Sequence, residues 1–318
     1  MKYGPIDLSK VKTVSLAARR SLVKVEQFGR GPKEEAGFHD WLAGLPDVLG
    51  AKALREIVAA IVRAREDDRP VIFGMGAHVV KVGLAPVLIE LMERGAVTAL
   101  AMNGAAMIHD VEIALRGATS ERVGDGLADG TFGMAEETGR FVNEAAAKAA
   151  ETGLGLGQAA GAALLAAGAR HADLSLLAAA VRLELPATVH VAIGTDIVHM
   201  QPTMDGAATG EATMTDYRIL CSVVADLEGG VYLNVGSAVI LPEIFVKALT
   251  VARNLGHTVE HFTTANLDFV QHYRPLQNVV GRPSQAEGSQ GYALTGHHEL
   301  LVPLLAQAVI DEMWYHRR

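Results

Sequence analysis

The chain has 318 residues, half of them hydrophobic and 5% aromatic, with a formal net charge of −8. Such a length forms one large α/β domain or two smaller ones around a mainly aliphatic core. The acidic balance excludes a general nucleic-acid binder, which presents a basic face. The single cysteine, Cys221, excludes an internal disulfide and a cysteine-based zinc site, and fits a reducing cytoplasm. No apolar signal region opens the chain, and no apolar run reaches the roughly 18 residues of a membrane span. The Ala/Gly-rich run from Gly153 to Gly168 comes nearest; its glycines and Gln158 suit a buried helix at a subunit contact.

Residues 1–45 are mixed and polar and predict an N-terminal arm, while residues 46–318 predict a single α/β nucleotide-binding domain. Leu54, Ile57, Val58, Ile61 and Val62 fall at helical spacing between Ala51 and Arg65. A strand over Pro70–Phe73 and a helix over Leu84–Arg94, closed by Gly95, follow. The strand Val97–Met102 leads through Asn103-Gly104 to a helix over Ile108–Leu115. Gly124-Asp-Gly126 and Asp129-Gly130 make Thr119–Phe132 a loop. Helices are expected over Met134–Thr152, Gln158–Ala167 and Leu174–Leu183, then a strand over Ala187–Ile193 and a polar loop to about Thr213. The helix Tyr217–Leu227, the strand Val231–Val235 and a helix from Pro242 to about Leu255 follow. His257–Thr263 reads as one more strand, Ser284–Gly296 as irregular, and His298–Trp314 as the last helix. Strand and helix alternate, which predicts a three-layer, mostly parallel sheet with helices on both faces.

Polar residues gather just past the expected strand ends, where open parallel sheets bind ligands. Gly74 and Gly76 turn the chain after the first strand, and His78 and Lys81 follow. A lysine at a helix start suits a phosphate or carboxylate, because the helix N-terminus already favours an anion. Asn103 and Gly104 end the second strand, with His109 and Asp110 opening a helix; Asp110 would equally serve as a cap. The densest polar loop runs from Gly194 to Glu211 and holds Asp196, His199 and Asp205. Gly236 and Ser237 end another strand, and Glu243 follows at a helix start, where it also suits the dipole. His297 and His298 are adjacent and do not share one helical face, so the pair alone is no metal grip.

The order of these motifs resembles the deoxyhypusine synthase family from about Pro70 to about Ala306. The resemblance implies a parallel-sheet NAD-binding fold, a homotetramer, and oxidation of spermidine by NAD followed by aminobutyl transfer through an imine on a lysine. It implies cofactor contacts from Gly74, Gly76, His78 and Lys81 in the first turn and from Asn103, Gly104 and Asp110 after the second strand. Gly236, Ser237, Thr264 and His297 match later cofactor positions, and Thr195-Asp196, or Asp205-Gly206, matches the family's Thr-Asp-Gly loop. The imine-forming lysine has no counterpart, since no lysine occurs after Lys247. Without that amine the covalent intermediate cannot form.

These residues lead to a deoxyhypusine synthase-like enzyme that binds NAD and acts on a small, amine-type substrate without true deoxyhypusine synthesis. Asp196 or Asp205 would hold the substrate ammonium, and His109, His199 or Glu243 would take a proton. A metal-dependent hydrolase or lyase on the same scaffold is the alternative, with ligands drawn from His109, Asp110, Asp196, His199, His297 and His298, although no spacing supports a metal motif. A nucleotide-binding protein without catalysis is the third reading. Neither nucleic acid nor membrane is an expected partner.

Overall fold

Six apolar segments, each broken by a glycine or a polar residue at its end, pair into one all-parallel sheet ordered β3-β2-β1-β4-β5-β6. The strands are β1 (Val71–Met75), β2 (Ala99–Asn103), β3 (Ala187–His190), β4 (Val231–Val235), β5 (Thr263–Asp268) and β6 (Gln290–Thr295). The computed structural model describes residues 2–285 and 288–316; expectations for residues 1, 286, 287, 317 and 318 lie outside them. β1 sits at the centre, with Gly74 level with Ala101 on one side and Asn234 on the other. The predicted three-layer architecture is the one observed.

Helices cover both faces. They are α1 (Phe38–Ala43), α2 (Leu49–Glu66), α3 (His78–Lys81), α4 (Ala85–Glu93), α5 (Gly104–Arg116), α6 (Val123–Asp129), α7 (Glu136–Thr152), α8 (Leu156–Ala166) and α9 (Leu176–Arg182). α10 (Gly206–Ala225), α11 (Ile240–Asn254), the single turn α12 (Tyr273–Pro275) and α13 (His298–Tyr315) follow. Parallel strands buried on both faces read as continuous apolar runs, and β1 and β4 are buried throughout. One core packs α2, α5, α8, α9 and α13 against Val71, Phe73, Leu100, Val189 and Leu233. The other packs α10 and α11 against Ile72, Ala101 and Tyr232, with Tyr232 stacked on Phe245 at 3.8 Å between ring centres.

Several expected boundaries are corrected. α5 begins at Gly104, because the Asn103 side chain caps it by accepting from the Ala106 amide at 2.9 Å. α10 begins at Gly206, inside the stretch expected to be a loop: Asp205 caps it, and its first inward-facing residues include the polar Thr209 and Asp216, which hide the helical period. Residues 123–129 form α6 within another expected loop. The strand expected over His257–Thr263 starts only at Thr263. Before it, side chains hold the backbone: Arg253 donates to the Val259 carbonyl, and Glu228 accepts from the Glu260 and His261 amides. β6 lies within the segment expected to be irregular; of its residues only Leu294 is buried, as suits an edge strand.

The arm keeps its apolar side chains outward. Residues 2–37 contain only two short 3-10 turns, and Ile6 and Leu22 are 84% and 87% exposed. It is tied down at Gln27, whose carbonyl accepts from the Asp47 amide at 2.8 Å and whose side chain donates to the Asp47 carbonyl at 3.2 Å, and at Arg30, whose amide donates to the Gly44 carbonyl at 2.9 Å.

Asp216 ties three elements together in the core. One carboxylate oxygen accepts from the Gly157 amide of α8 at 3.0 Å and the Val189 amide of β3 at 2.8 Å. Burial pushes its carboxyl up to about 7, against the opposing pull of those amides. A raised folded-state value means the native chain holds the proton more tightly than the unfolded one, so the associated stability is present below the unfolded value and lost as pH rises through 7. Urea unfolding at pH 5 and pH 8 should therefore show the wild type losing about 2–3 kcal/mol more than Asp216→Asn across that interval. An identical pH slope for both proteins would contradict this.

Candidate active site at the carboxyl edge of the sheet

Strand order reverses between β1 and β4, and at such a point a crevice opens at the carboxyl ends of the strands. The two turns that flank it touch. The Gly76 amide donates to the Val235 carbonyl at 3.0 Å, and a Cβ on Gly76 would collide with the Gly236 carbonyl. Gly236 is left-handed, φ 68°, and a Cβ there would run into the His298 ring. Glycine at both positions lets an imidazole lie directly over the β1/β4 junction.

That imidazole belongs to His298, the first residue of α13, 1% exposed. Its Nδ1 lies 2.9 Å from Nδ1 of His78, the first residue of α3, and its Nε2 lies 3.1 Å from the Leu267 carbonyl and 3.8 Å from Asp268. Burial lowers the His298 pKa against the opposing pull of the Leu267 carbonyl and Asp268, which favours the neutral ring. A neutral imidazole has one N–H and one bare nitrogen. With Nε2–H donating to Leu267, His298 Nδ1 is the acceptor and His78 Nδ1–H the donor. In the neutral form of His78 its lone pair then lies on Nε2, and that nitrogen makes no hydrogen bond among the described residues. Phe269 flanks the pair, 6.4 Å from the His78 ring and stacked on the exposed His297 at 5.9 Å.

Beneath the histidines runs a buried amide chain. Asn234 Nδ2 donates to Asn266 Oδ1 at 2.7 Å and to the Ser237 carbonyl at 2.9 Å, and Asn266 Nδ2 donates to Gln271 Oε1 at 2.7 Å. It fixes the ends of β4 and β5 relative to each other. Ser237 Oγ accepts from the Leu241 amide and starts α11.

On the other side of β1, the loop after β3 reaches the end of β2. A Cβ on Gly104 would collide with the Asp196 carboxylate, so the acid lies against the start of α5. Burial raises the Asp196 pKa, partly offset by His199. His199 Nδ1 accepts from the Gly194 and Asp196 amides at 3.1 and 3.2 Å, which fixes the loop. The carboxyl edge thus brings together Gly74, Gly76, His78, Gly236, Ser237 and His297 around β1, β4 and β6, and Asn103, Gly104, Asp196 and His199 around β2 and β3.

The remaining candidates are occupied elsewhere. Asp110 is fully buried and accepts from Ser175 Oγ and from the Leu176 and Leu177 amides at 2.6, 2.8 and 3.2 Å; it caps α9 rather than facing a cofactor. Burial pushes its carboxyl up to about 6 against those bonds. His109 bonds Thr119, which donates to Glu112, so it braces α5 away from the crevice. Asp205 caps α10 from an exposed position. Glu243 is held below the usual carboxylate range, first by Lys247, in a surface network with Arg274 and Asn278. Lys81 is the exposed last residue of α3, not a helix start. Thr264 lies near the beginning of β5, where its hydroxyl donates to the Val279 carbonyl at 2.7 Å, a position misjudged because β5 was expected to end there. Among the described residues no three His, Cys, Asp or Glu side chains converge to hold a metal ion, and no helix is long and apolar enough to cross a membrane.

An open parallel sheet in this strand order, with its crevice at the β1/β4 reversal, defines the doubly wound α/β class. Within that class the fold is the deoxyhypusine synthase-like one. A protein from Methanococcus maripaludis S2 described as LOR/SDH matches 84% of this chain and 71% of its own at 16% identity, with a TM-score of 0.51. A protein from Entamoeba histolytica described as a deoxyhypusine synthase matches 89% of this chain and 96% of its own at 11% identity, with a TM-score of 0.50. AgrE, solved as a ternary complex with ornithine and NAD+, matches 82% of this chain at 15% identity with a TM-score of 0.50, and the chain spans 33% of its length. No protein-family model matches the sequence, and no curated protein does.

Proposed function

We propose that this chain is an NAD-binding enzyme that oxidises a small amine or amino acid, with His78 as the proton acceptor. The carrying observation is the His78–His298 pair at the β1/β4 crossing. Two residues 220 positions apart share a hydrogen bond at the carboxyl end of β1 and β4, and in its neutral form His78 keeps a free nitrogen there. NAD, when bound, supplies the hydride acceptor; the chain's own residues position the reactants and take the proton. The crevice at the β1/β4 crossing would hold the dinucleotide, and His78 Nε2 would take the proton from the substrate nitrogen or oxygen as it is oxidised.

The residues at the β2 end suit one part of the cofactor. Asp196 beside Gly104 accepts hydrogens from a ribose diol or a substrate ammonium and repels a phosphate. Calorimetric titration should show NAD binding at least about tenfold more tightly than NADP, with the gap narrowing in Asp196→Ala. No heat with either dinucleotide would overturn the reading. AgrE, crystallised with ornithine and NAD+, supports the cofactor and a cationic amino acid as the first substrate to try.

A homo-oligomer in the cytoplasm completes the reading, with the outward apolar side chains of residues 2–37 covered by a second copy. Light scattering on the full chain and on one lacking residues 1–36 should give a multiple of the subunit mass for the former and a smaller assembly for the latter. Equal assembly of both would remove the arm from the interface.

A further inference from the structure

Beyond the crevice, a second cavity of about 310 Å³ opens between β3, α10 and α11. It lies on the opposite face of the sheet from α5 and α13. Ala187 and Val189 of β3 point into the α5–α9 core, so Thr188 and His190, alternating with them, point toward α10 and α11. Val191, Met214, Tyr217, Ile244 and Lys247 line the cavity together with His190.

His190 is 2% exposed and unusual in its bonding. Its Nε2 lies 2.9 Å from Thr188 Oγ1, and that hydroxyl donates onward to the Leu100 carbonyl at 3.2 Å. The hydroxyl hydrogen is therefore spent, Thr188 accepts, and His190 carries its proton on Nε2. Nδ1 is left as a buried acceptor with no partner. A buried polar atom without a partner requires a physical reason, and His190 is one of the residues that line this cavity. The mouth is already neutralised, since Lys247 is ion-paired with Glu243, so the cavity does not call for an anion. Burial drives the His190 pKa down to about 3, which keeps Nδ1 unprotonated at neutral pH.

We propose that this cavity binds a small neutral molecule with an apolar body and one hydroxyl or N–H group, whose hydrogen His190 Nδ1 accepts. The apolar body lies on Met214, Tyr217 and Ile244. This ligand is separate from the dinucleotide and does not depend on its binding.

The test uses the full chain labelled with ¹⁵N-histidine, with phenol and toluene as probes of nearly equal size. The His190 Nδ1 resonance, assigned by its loss in His190→Leu, should move with phenol and stay with toluene. Phenol should bind at least about tenfold more tightly, because a site built around a hydrogen bond rejects the analogue lacking it. Met214→Trp, a change at a 55% exposed wall residue, should exclude phenol while leaving unfolding unchanged, and serves if His190→Leu does not fold. Equal binding of the two probes, a phenol shift that survives Met214→Trp, or no shift with either probe (a trapped water only) would overturn the proposal. NAD titration of the same sample reads the other site separately.

Discussion

Asp110→Ala should cost about 3–5 kcal/mol of stability and leave the crevice chemistry intact in whatever fraction remains folded. The carboxylate is fully buried and is the meeting point of Ser175 Oγ and the first amides of α9. Truncation leaves those donors facing a cavity, at about 1–3 kcal/mol for each donor left unpaired. Ser175 Oγ also accepts from the Ala178 amide at 3.0 Å, so part of the cap survives and the three penalties do not sum in full. Asp110→Asn keeps one acceptor but turns an NH₂ toward a donor, and should fall between the two. Urea midpoints for the three proteins check the order. NAD affinity measured on folded Asp110→Asn separates a helix cap from a cofactor contact: a large loss of affinity with little loss of stability would return Asp110 to the site.

That residue shows where sequence reading succeeds and where it stops. The glycine-ended runs around Gly74, Gly104 and Gly236 were legible because central parallel strands are buried on both faces and their ends need small residues. A polar residue beside such a turn has two uses, capping a helix or facing a ligand, and the sequence pattern is the same for both. Asp110, Asp205 and Ser237 all serve as caps. His298 entered only as a metal-ligand candidate beside its neighbour His297, whereas its partner is His78, 220 positions away. Finding that contact required β6 to be placed, and β6 is an edge strand of which only Leu294 is buried, too little for an apolar signal. His190 left no local trace either: only the alternation of β3 sends it to the α10/α11 face, and only the Thr188 bond fixes its tautomer.

His78→Asn should lower turnover by about 10²–10⁴-fold, the usual contribution of a positioned proton acceptor, with NAD affinity little changed. The assay is NADH formation with ornithine and other small amines as substrates. His298 acts through His78, so His298→Gln tests positioning rather than proton transfer. The glutamine oxygen can still accept from His78 Nδ1–H, and its amide can still donate toward the Leu267 carbonyl. That variant should retain most of the activity that His298→Leu loses. In His298→Leu the His78 ring has no acceptor at Nδ1 and no fixed tautomer, and turnover should fall by about 10–100-fold, in the range seen when an orienting partner is removed. Both changes bear on a buried position against Gly236, so urea midpoints accompany each rate. A purely structural role for His298 would lower stability and activity together and would show no rescue by glutamine. Unaltered turnover in His78→Asn would mean that the proton leaves by another group, and the histidine pair would then be a packing feature of the β1/β4 junction.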